Sequence, residues 1–193
     1  MISNLNLDNI KVVIFDYDGT LAVHRDKDFV KHRNENVDKR LNYYANAYQN
    51  PSNFYIDIEP CDRSEALYKL IQELRNKNIK MYCLSGMKFS FHFKAKQDFI
   101  NTQYGDVELI SAGTQELKLD GIKIILKLNK CNLDEILYIE DLEDTVKFLK
   151  SNGIINPSGT NINILRIIFL HSPKEKLLYA SLYELNKCKF TLE

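Results

Sequence analysis

A short apolar strand that ends in two carboxylates constrains this chain more than any other stretch. Val12 to Phe15 is a run of β-branched and aromatic residues, which predicts a strand buried on both faces. Asp16 and Asp18 follow directly, and Gly19 allows the backbone to turn tightly and approach a ligand. Alternation along an extended chain would aim both carboxylates to the same side. Two like charges held that close favour a hard divalent cation such as Mg²⁺, which binds carboxylate and phosphate oxygens.

Strand and helix patterns alternate along the rest of the chain. The predicted strands cover 79–84, 107–111, 136–139 and 162–170, and the predicted helices cover 91–102, 118–128 and 142–150, with further helices opening at Asp62 and after Ser172-Pro173. This alternation predicts an α/β fold with a mainly parallel sheet between two layers of helices. Ligands in such folds bind at the carboxyl ends of strands, where the strand order reverses.

The length of 193 residues suits a single domain that carries one small insertion. The insertion is expected over 24–58, where a polar segment contains apolar residues at helical spacing, namely Val30, Val37, Leu41, Tyr44 and Tyr48. A short extended piece is expected over 54–58. A narrow apolar stripe of this kind predicts a helix that rests lightly on the domain and selects substrate as a lid, the alternative being a helix that is only packed against the domain.

Composition excludes several classes of function. Lys+Arg and Asp+Glu both number 26, so no basic excess indicates nucleic acid as a general partner. Apolar runs are far shorter than a membrane span, and residues 1–9 lack the apolar core of a signal peptide. The four cysteines, Cys61, Cys83, Cys131 and Cys188, stand far apart, which favours reduced thiols in the cytoplasm over disulfides or a zinc site. The histidines, His24, His32, His92 and His171, show no metal-ligand spacing and are expected at the surface or in packing, with His24 near the mouth of the site.

A second polar group follows the next predicted strand. Ser85 stands after strand 79–84 as Asp16 stands after the first strand. Its hydroxyl, with the N–H groups of Gly86 and Met87, can hold a phosphate oxygen. Ser-Gly is also ordinary turn chemistry, but its place one crossover after the two aspartates favours a phosphate site.

Two further charged groups complete the candidate site. A lysine is needed to neutralise an aspartate beside a phosphate, and Lys118, Lys123 and Lys127 are the candidates. Lys118, at the start of its helix, is preferred over Lys123. Strand 136–139 then runs into an acidic cluster that includes Glu140, Asp141, Glu143 and Asp144. Acidic residues also stabilise helix N-termini, which is sufficient explanation for Glu143.

In this order the groups resemble the four sequence motifs of the haloacid dehalogenase (HAD) superfamily. Asp-Tyr-Asp-Gly-Thr at 16–20 resembles the first motif, Ser85-Gly86 the second, Lys118 the third and Glu140-Asp141 the fourth. The resemblance implies a HAD-like Rossmannoid fold, with Asp16 as the nucleophile and Asp18 as the general acid and base. It also implies that Mg²⁺ is bound by Asp16, the backbone carbonyl of Asp18 and Asp141. Ser85, Gly86 and Lys118 would then face the phosphate.

The implied function is Mg²⁺-dependent hydrolysis of a small phosphate monoester through an aspartyl-phosphate. One alternative is a phosphotransferase or nucleic-acid end phosphatase on the same core, for which Lys88, Lys94 and Lys96 are the only hint. Another is a non-catalytic regulatory module, against which the intact Asp18 argues. The motifs leave open whether Lys118 or Lys123 meets the phosphate and whether Glu140 or Asp144 assists Asp141. They specify neither the substrate nor the oligomeric state.

Overall fold

The computed structural model describes residues 7–25, 58–60, 66–87, 90–112, 114–152, 163–169, 178–183 and 189–191. The strands among these residues are β1 (Val12–Phe15), β2 (Ala22–His24), β3 (Ile58–Pro60), β4 (Lys80–Ser85), β5 (Glu108–Ser111), β6 (Ile136–Glu140), β7 (Asn163–Phe169), β8 (Leu178–Tyr183) and β9 (Lys189–Thr191). The helices are α1 (Ala66–Asn76), α2 (Ser90–Gln103), α3 (Gln115–Asn129) and α4 (Glu143–Ser151), and a short 3-10 turn, Leu133–Glu135, precedes β6.

Seven of the described strands form one sheet in the order β5-β4-β1-β6-β7-β8-β9. The first five are parallel to their neighbours, whereas β8 and β9 add antiparallel pairs at one edge. The chain runs outward from β1 to β4 and β5 and then returns to β6 on the other side of β1. The strand order therefore reverses at β1, and a ligand site is expected at the carboxyl ends of β4, β1 and β6.

Alternation along the central strands divides the core into two layers. Val13 and Phe15 of β1 belong to a buried cluster that includes Leu70 of α1 and Ile100 of α2. Val12 and Ile14 belong to a second cluster, which contains Ile122 and Ile125 of α3 and Val146 and Leu149 of α4. Helices therefore cover both faces of the sheet, and the predicted three-layer α/β/α architecture is confirmed.

Most predicted elements lie within a few residues of their observed bounds. Helix α3 begins three residues earlier than predicted, because Thr114 caps it by accepting a hydrogen bond from the Leu117 N–H at 3.4 Å. The predicted capping box at Asp62 and Glu65 lies outside the described residues.

The prediction of a closing helix after Ser172-Pro173 is wrong over the part of that segment that is described. Residues 178–183 form β8, which pairs antiparallel with β7. The capping pattern at 172–175 favoured a helix, but Leu178 to Tyr183 is rich in aromatic residues that suit a strand. Pairing with β7 decides between the two, because the unpaired edge of β7 offers a full ladder of hydrogen bonds.

The insertion predicted over 24–58 lies mostly outside the described residues. Its two flanks are described: β2 and β3 pair antiparallel, with His24 opposite Ile58. Arg25 and Glu59 form an ion pair at 3.3 Å on the same ribbon. The extended piece predicted over 54–58 overlaps β3 at Ile58. The helix predicted from Phe29 to Tyr48 and its role as a lid stay predictions.

Within the described residues no helix is long and apolar enough to cross a membrane. Cys83 and Cys131 are buried free thiols. Burial raises the pKa of both thiols, which keeps them protonated and unreactive. Cys61 and Cys188 lie outside the described residues.

Gly121 is a position where α3 packs tightly against the sheet. A Cβ at this position would lie 2.5 Å from Cδ1 of Leu84, a fully buried residue of β4. On an exposed helix, Gly→Ala gains about 1 kcal/mol. Here we expect Gly121→Ala to lower the free energy of unfolding by about 1–2 kcal/mol, because Leu84 has to move within a packed core.

Urea denaturation measures this loss. Gly121→Ala combined with Leu84→Val should cost less than the sum of the two single changes, because the shorter side chain vacates the space. A stabilised Gly121→Ala protein would show that Leu84 moves aside freely.

Candidate active site

The turn after β1 gives the two aspartates different surroundings. The Asp16 N–H donates to the Ile139 carbonyl at 2.9 Å and extends the pairing of β1 with β6. The carbonyl of Tyr17 then accepts hydrogen bonds from the Leu21 and Ala22 N–H groups at 3.0 Å each. Gly19 adopts a φ of +90°, a conformation that favours glycine. The chain turns after Asp16, and Asp18 forms an isolated bridge with Ala22.

Lys118 of α3 lies between two carboxylates at the ends of β1 and β6. Its Nζ is 2.7 Å from Asp16 Oδ1 and 3.1 Å from Glu140 Oε2. All three side chains are buried. Burial by itself lowers the pKa of Lys118, but Asp16 and Glu140 outweigh it and hold the pKa well above its usual value. The side chain is therefore an ammonium at neutral pH.

Glu140 is held by donors on both of its oxygens. Its Oε2 accepts from Lys118 and from the Tyr138 hydroxyl at 3.2 Å, and its Oε1 accepts from the Leu142 N–H at 3.1 Å. Burial raises the pKa of Tyr138 well above its usual value, so the phenol stays protonated and donates. The Glu140 carboxylate is thus fixed in orientation, and it fixes Lys118 in turn.

Three carboxylates at this edge could hold a metal ion. Asp16, Glu140 and Asp141 each offer one oxygen, and these oxygens lie within 4.8 Å of one another. Burial, followed by the charge of Glu140, raises the pKa of Asp16 to about 6 in spite of the neighbouring Lys118. Three carboxylates against one ammonium leave an excess of negative charge. A hard divalent cation fits this oxygen donor set and would compensate that excess.

A second buried lysine, Lys96 of α2, contacts Asp18. Its Nζ is 2.7 Å from Asp18 Oδ2 and 2.8 Å from Ser85 Oγ. The same ammonium lies 4.4 Å from the centre of the Tyr17 ring, within range of a cation–π interaction. Ser85 is fully buried, and Gly86 is half-buried directly after it.

The two lysines reach different partners because strand residues alternate between the faces of the sheet. Tyr138 packs in the cluster on the α3 face, so Glu140, two residues later, lies on the side of Lys118. Cys83 packs in the cluster on the α2 face, so Ser85 lies on the side of Lys96. Each helix therefore brings one ammonium to one side of the strand ends.

The structure brings some of the predicted site residues together and places others at the surface. Asp16, Asp141 and Lys118 lie together, and Asp18 and Ser85 lie together through Lys96. Lys123 is exposed and pairs with Asp120 at 3.0 Å. Lys127 and Asp144 are exposed as well. Of the acids that were candidates to assist Asp141, only Glu140 lies in the carboxylate group described above.

Lys96 and Tyr138 are the two site residues that motif analysis did not assign. A signal for Lys96 exists in the sequence, because His92, Lys96 and Ile100 recur at i, i+4 spacing on α2, Tyr104 continues this spacing just after the helix, and all four are buried. A lysine in such a stripe interrupts an apolar face. His24 and His92 are both buried, as expected for packing residues, whereas His32 and His171 lie outside the described residues.

Several solved structures resemble this chain in fold, and two of them are described here. One is a haloacid dehalogenase-like hydrolase from Bacteroides fragilis, with 15% identity, a TM-score of 0.47 and coverage of 76% of this chain and 85% of that one. The other is a phospho-aspartyl intermediate analogue of a phosphoserine phosphatase, with 17% identity, a TM-score of 0.48 and coverage of 73% and 82%. No protein-family model and no curated protein sequence matches the chain.

Proposed function

We propose that this protein is a divalent-cation-dependent phosphohydrolase that cleaves a small phosphate monoester through an aspartyl-phosphate. The observation that carries the proposal is the buried carboxylate of Asp16. Its Oδ1 forms an ion pair with Lys118 Nζ at 2.7 Å. It also lies with Glu140 and Asp141 in a group of acids whose oxygens are within 4.8 Å of one another. Such a carboxylate is an oriented nucleophile in surroundings that compensate the charge of a phosphoryl group.

In the first step, Asp16 attacks phosphorus in line with the leaving oxygen. A bond forms between the Asp16 carboxylate and phosphorus while the bond from phosphorus to the ester oxygen breaks. Asp18 donates a proton to that oxygen, so the product leaves as an alcohol. The Lys118 ammonium and the Ser85 hydroxyl neutralise and orient the phosphoryl oxygens. Such positioning and charge compensation supply most of the catalysis in phosphoryl transfer.

In the second step, Asp18 accepts a proton from water, which attacks the aspartyl-phosphate. The bond between phosphorus and Asp16 breaks, orthophosphate leaves and the Asp16 carboxylate is regenerated. Asp18 thus acts first as an acid and then as a base, and each turnover returns it to its starting state.

We propose Asp16 and Asp141 as the carboxylate ligands of the cation, together with the backbone carbonyl of Asp18. Glu140 is assigned a different part, because both of its oxygens already accept hydrogen bonds and it holds Lys118. When bound, Mg²⁺ would supply a positive charge that offsets the repulsion between Asp16 and the incoming phosphate.

Metal removal is the direct test of this proposal. Hydrolysis of an aryl phosphate should fall to background after EDTA treatment and return with added Mg²⁺, because the single ammonium of Lys118 does not offset the charge of three carboxylates and a phosphate. Calorimetry with Mg²⁺ should also detect binding that Asp141→Asn weakens. Full hydrolysis by rigorously metal-free protein would contradict the assignment.

A nucleic-acid end phosphatase is less well supported. The hint for a basic groove came from three lysines after Ser85, but Lys96 is buried in contact with Asp18 rather than on a basic surface. Lys94 is exposed, and Lys88 lies outside the described residues. Parallel assays with sugar phosphates, nucleotides and end-phosphorylated oligonucleotides would separate these substrate classes.

A further inference from the structure

Lys96 is buried at a position where a charged side chain carries a large desolvation penalty. Its side chain is 3% exposed, whereas the Asp18 side chain that it contacts is 19% exposed. Ile100, on the same face of α2, and Tyr104, directly after the helix, pack into the apolar core. Buried ion pairs contribute little net stability, and apolar replacements of similar volume are often neutral or stabilising. Packing alone therefore does not explain an ammonium at this position.

Because the lysine ammonium can only donate hydrogen bonds, it determines the direction of each hydrogen bond to its neighbours. An ammonium has three N–H donors and no acceptor. Ser85 Oγ, 2.8 Å from Nζ, must therefore accept from Lys96. The hydroxyl hydrogen of Ser85 is then directed away from the ammonium and is available to a different acceptor, such as a phosphoryl oxygen.

The same reasoning applies to Asp18. Its Oδ2 accepts from Lys96 at 2.7 Å. This contact fixes the rotation of the Asp18 carboxylate, which is the group that exchanges a proton with the leaving oxygen and with water in the proposed mechanism. One ammonium thus sets the orientation of both groups.

We propose that Lys96 is a positioning residue that holds the Asp18 carboxylate and the Ser85 hydroxyl in their working orientations. The inference rests on the proposed phosphohydrolase function, in which Asp18 moves the proton and Ser85 binds the phosphoryl group. Lys96 differs from Lys118, which serves Asp16 and Glu140 on the other face of the sheet. The two lysines are therefore not interchangeable.

Lys96→Met is the primary test, because it keeps the length of the side chain and removes the donors. We expect kcat for an aryl phosphate to fall about a hundredfold or more, with a change in KM below about fivefold, because orientation matters most in the transition state. Lys94→Met, at an exposed position of the same helix, should keep the kcat of the wild-type protein. The melting temperature of each variant is measured alongside.

Two further measurements separate positioning from support of the fold. Lys96→Met should cost less in kcat/KM when Ser85 is already alanine, because its effect through Ser85 is then gone and only the effect through Asp18 is left. Lys96→Ala should recover part of its lost kcat with added ethylammonium, which supplies the missing donor, while the alanine variant at position 94 should not respond.

Each outcome decides the proposal. Wild-type protein that hydrolyses no phosphate ester with Mg²⁺ overturns the phosphohydrolase function and the role of Lys96 with it. Active wild-type protein with a fully active, folded Lys96→Met variant overturns the role of Lys96 alone. If Lys96→Met fails to fold, Lys96→Gln takes its place, since it keeps an N–H donor without the charge. Failure of both variants to fold would make Lys96 a structural residue and would also overturn the proposal.

Discussion

Asp16→Asn should reduce kcat by at least about 10⁴-fold, because an amide cannot form the aspartyl-phosphate on which both chemical steps depend. The variant should fold normally. Lys118 keeps its contact with Glu140 at 3.1 Å, and the raised pKa of Asp16 indicates that its charge is not favourable to stability in the metal-free protein. Steady-state hydrolysis of an aryl phosphate, together with the melting temperature, measures both effects.

Asp120→Asn is the matched control for this change. Asp120 is an exposed aspartate on α3 that pairs with Lys123, so its amide should leave kcat unchanged. Rapid acid quenching of wild-type protein with labelled substrate should trap label on Asp16, and the Asp16→Asn protein should trap none. Hydrolysis by Asp16→Asn within tenfold of wild type would assign the nucleophile elsewhere.

Lys118→Met should lower kcat/KM by about 10³-fold and destabilise the metal-free protein by about 3–5 kcal/mol. The first effect follows from loss of the charge that neutralises the phosphoryl group. The second follows because Asp16 and Glu140 would remain buried without the ammonium that lies between them. Added Mg²⁺ should restore part of the lost stability, since a divalent cation compensates the same carboxylates.

Lys123→Met is the comparison that distinguishes the two candidate lysines. Lys123 lies five residues further along the same helix but is exposed, so its loss should change the free energy of unfolding by less than about 0.5 kcal/mol. Urea denaturation and kcat/KM are measured for both variants with and without Mg²⁺. A larger loss of activity in Lys123→Met than in Lys118→Met would reverse the assignment.

The sequence alone was sufficient for features that depend on local pattern. The apolar run of β1 followed by Asp16, and Ser85 at the end of β4, predicted the strand ends at which the site lies. Parallel strands meet with their carboxyl ends at one edge, so polar residues that follow neighbouring strands come together without detailed knowledge of packing. The preference for Lys118 came from its place at the start of a helix before the last of these strands, and its contacts with Asp16 and Glu140 agree with that preference.

The tertiary structure decided the features that depend on contacts between separate elements. Strand β8 forms in place of an expected helix because β7 supplies its hydrogen-bonding partners. The local sequence pattern does not contain this information. Asp16 and Asp18 have different lysine partners, and Lys96 was missed because its burial depends on how α2 packs on the sheet. Local sequence determines where most of the described strands and helices form. Packing between segments distant in the chain determines which charged groups meet. Because these groups are buried in surroundings of low dielectric, a single ion pair there has a large effect on the site.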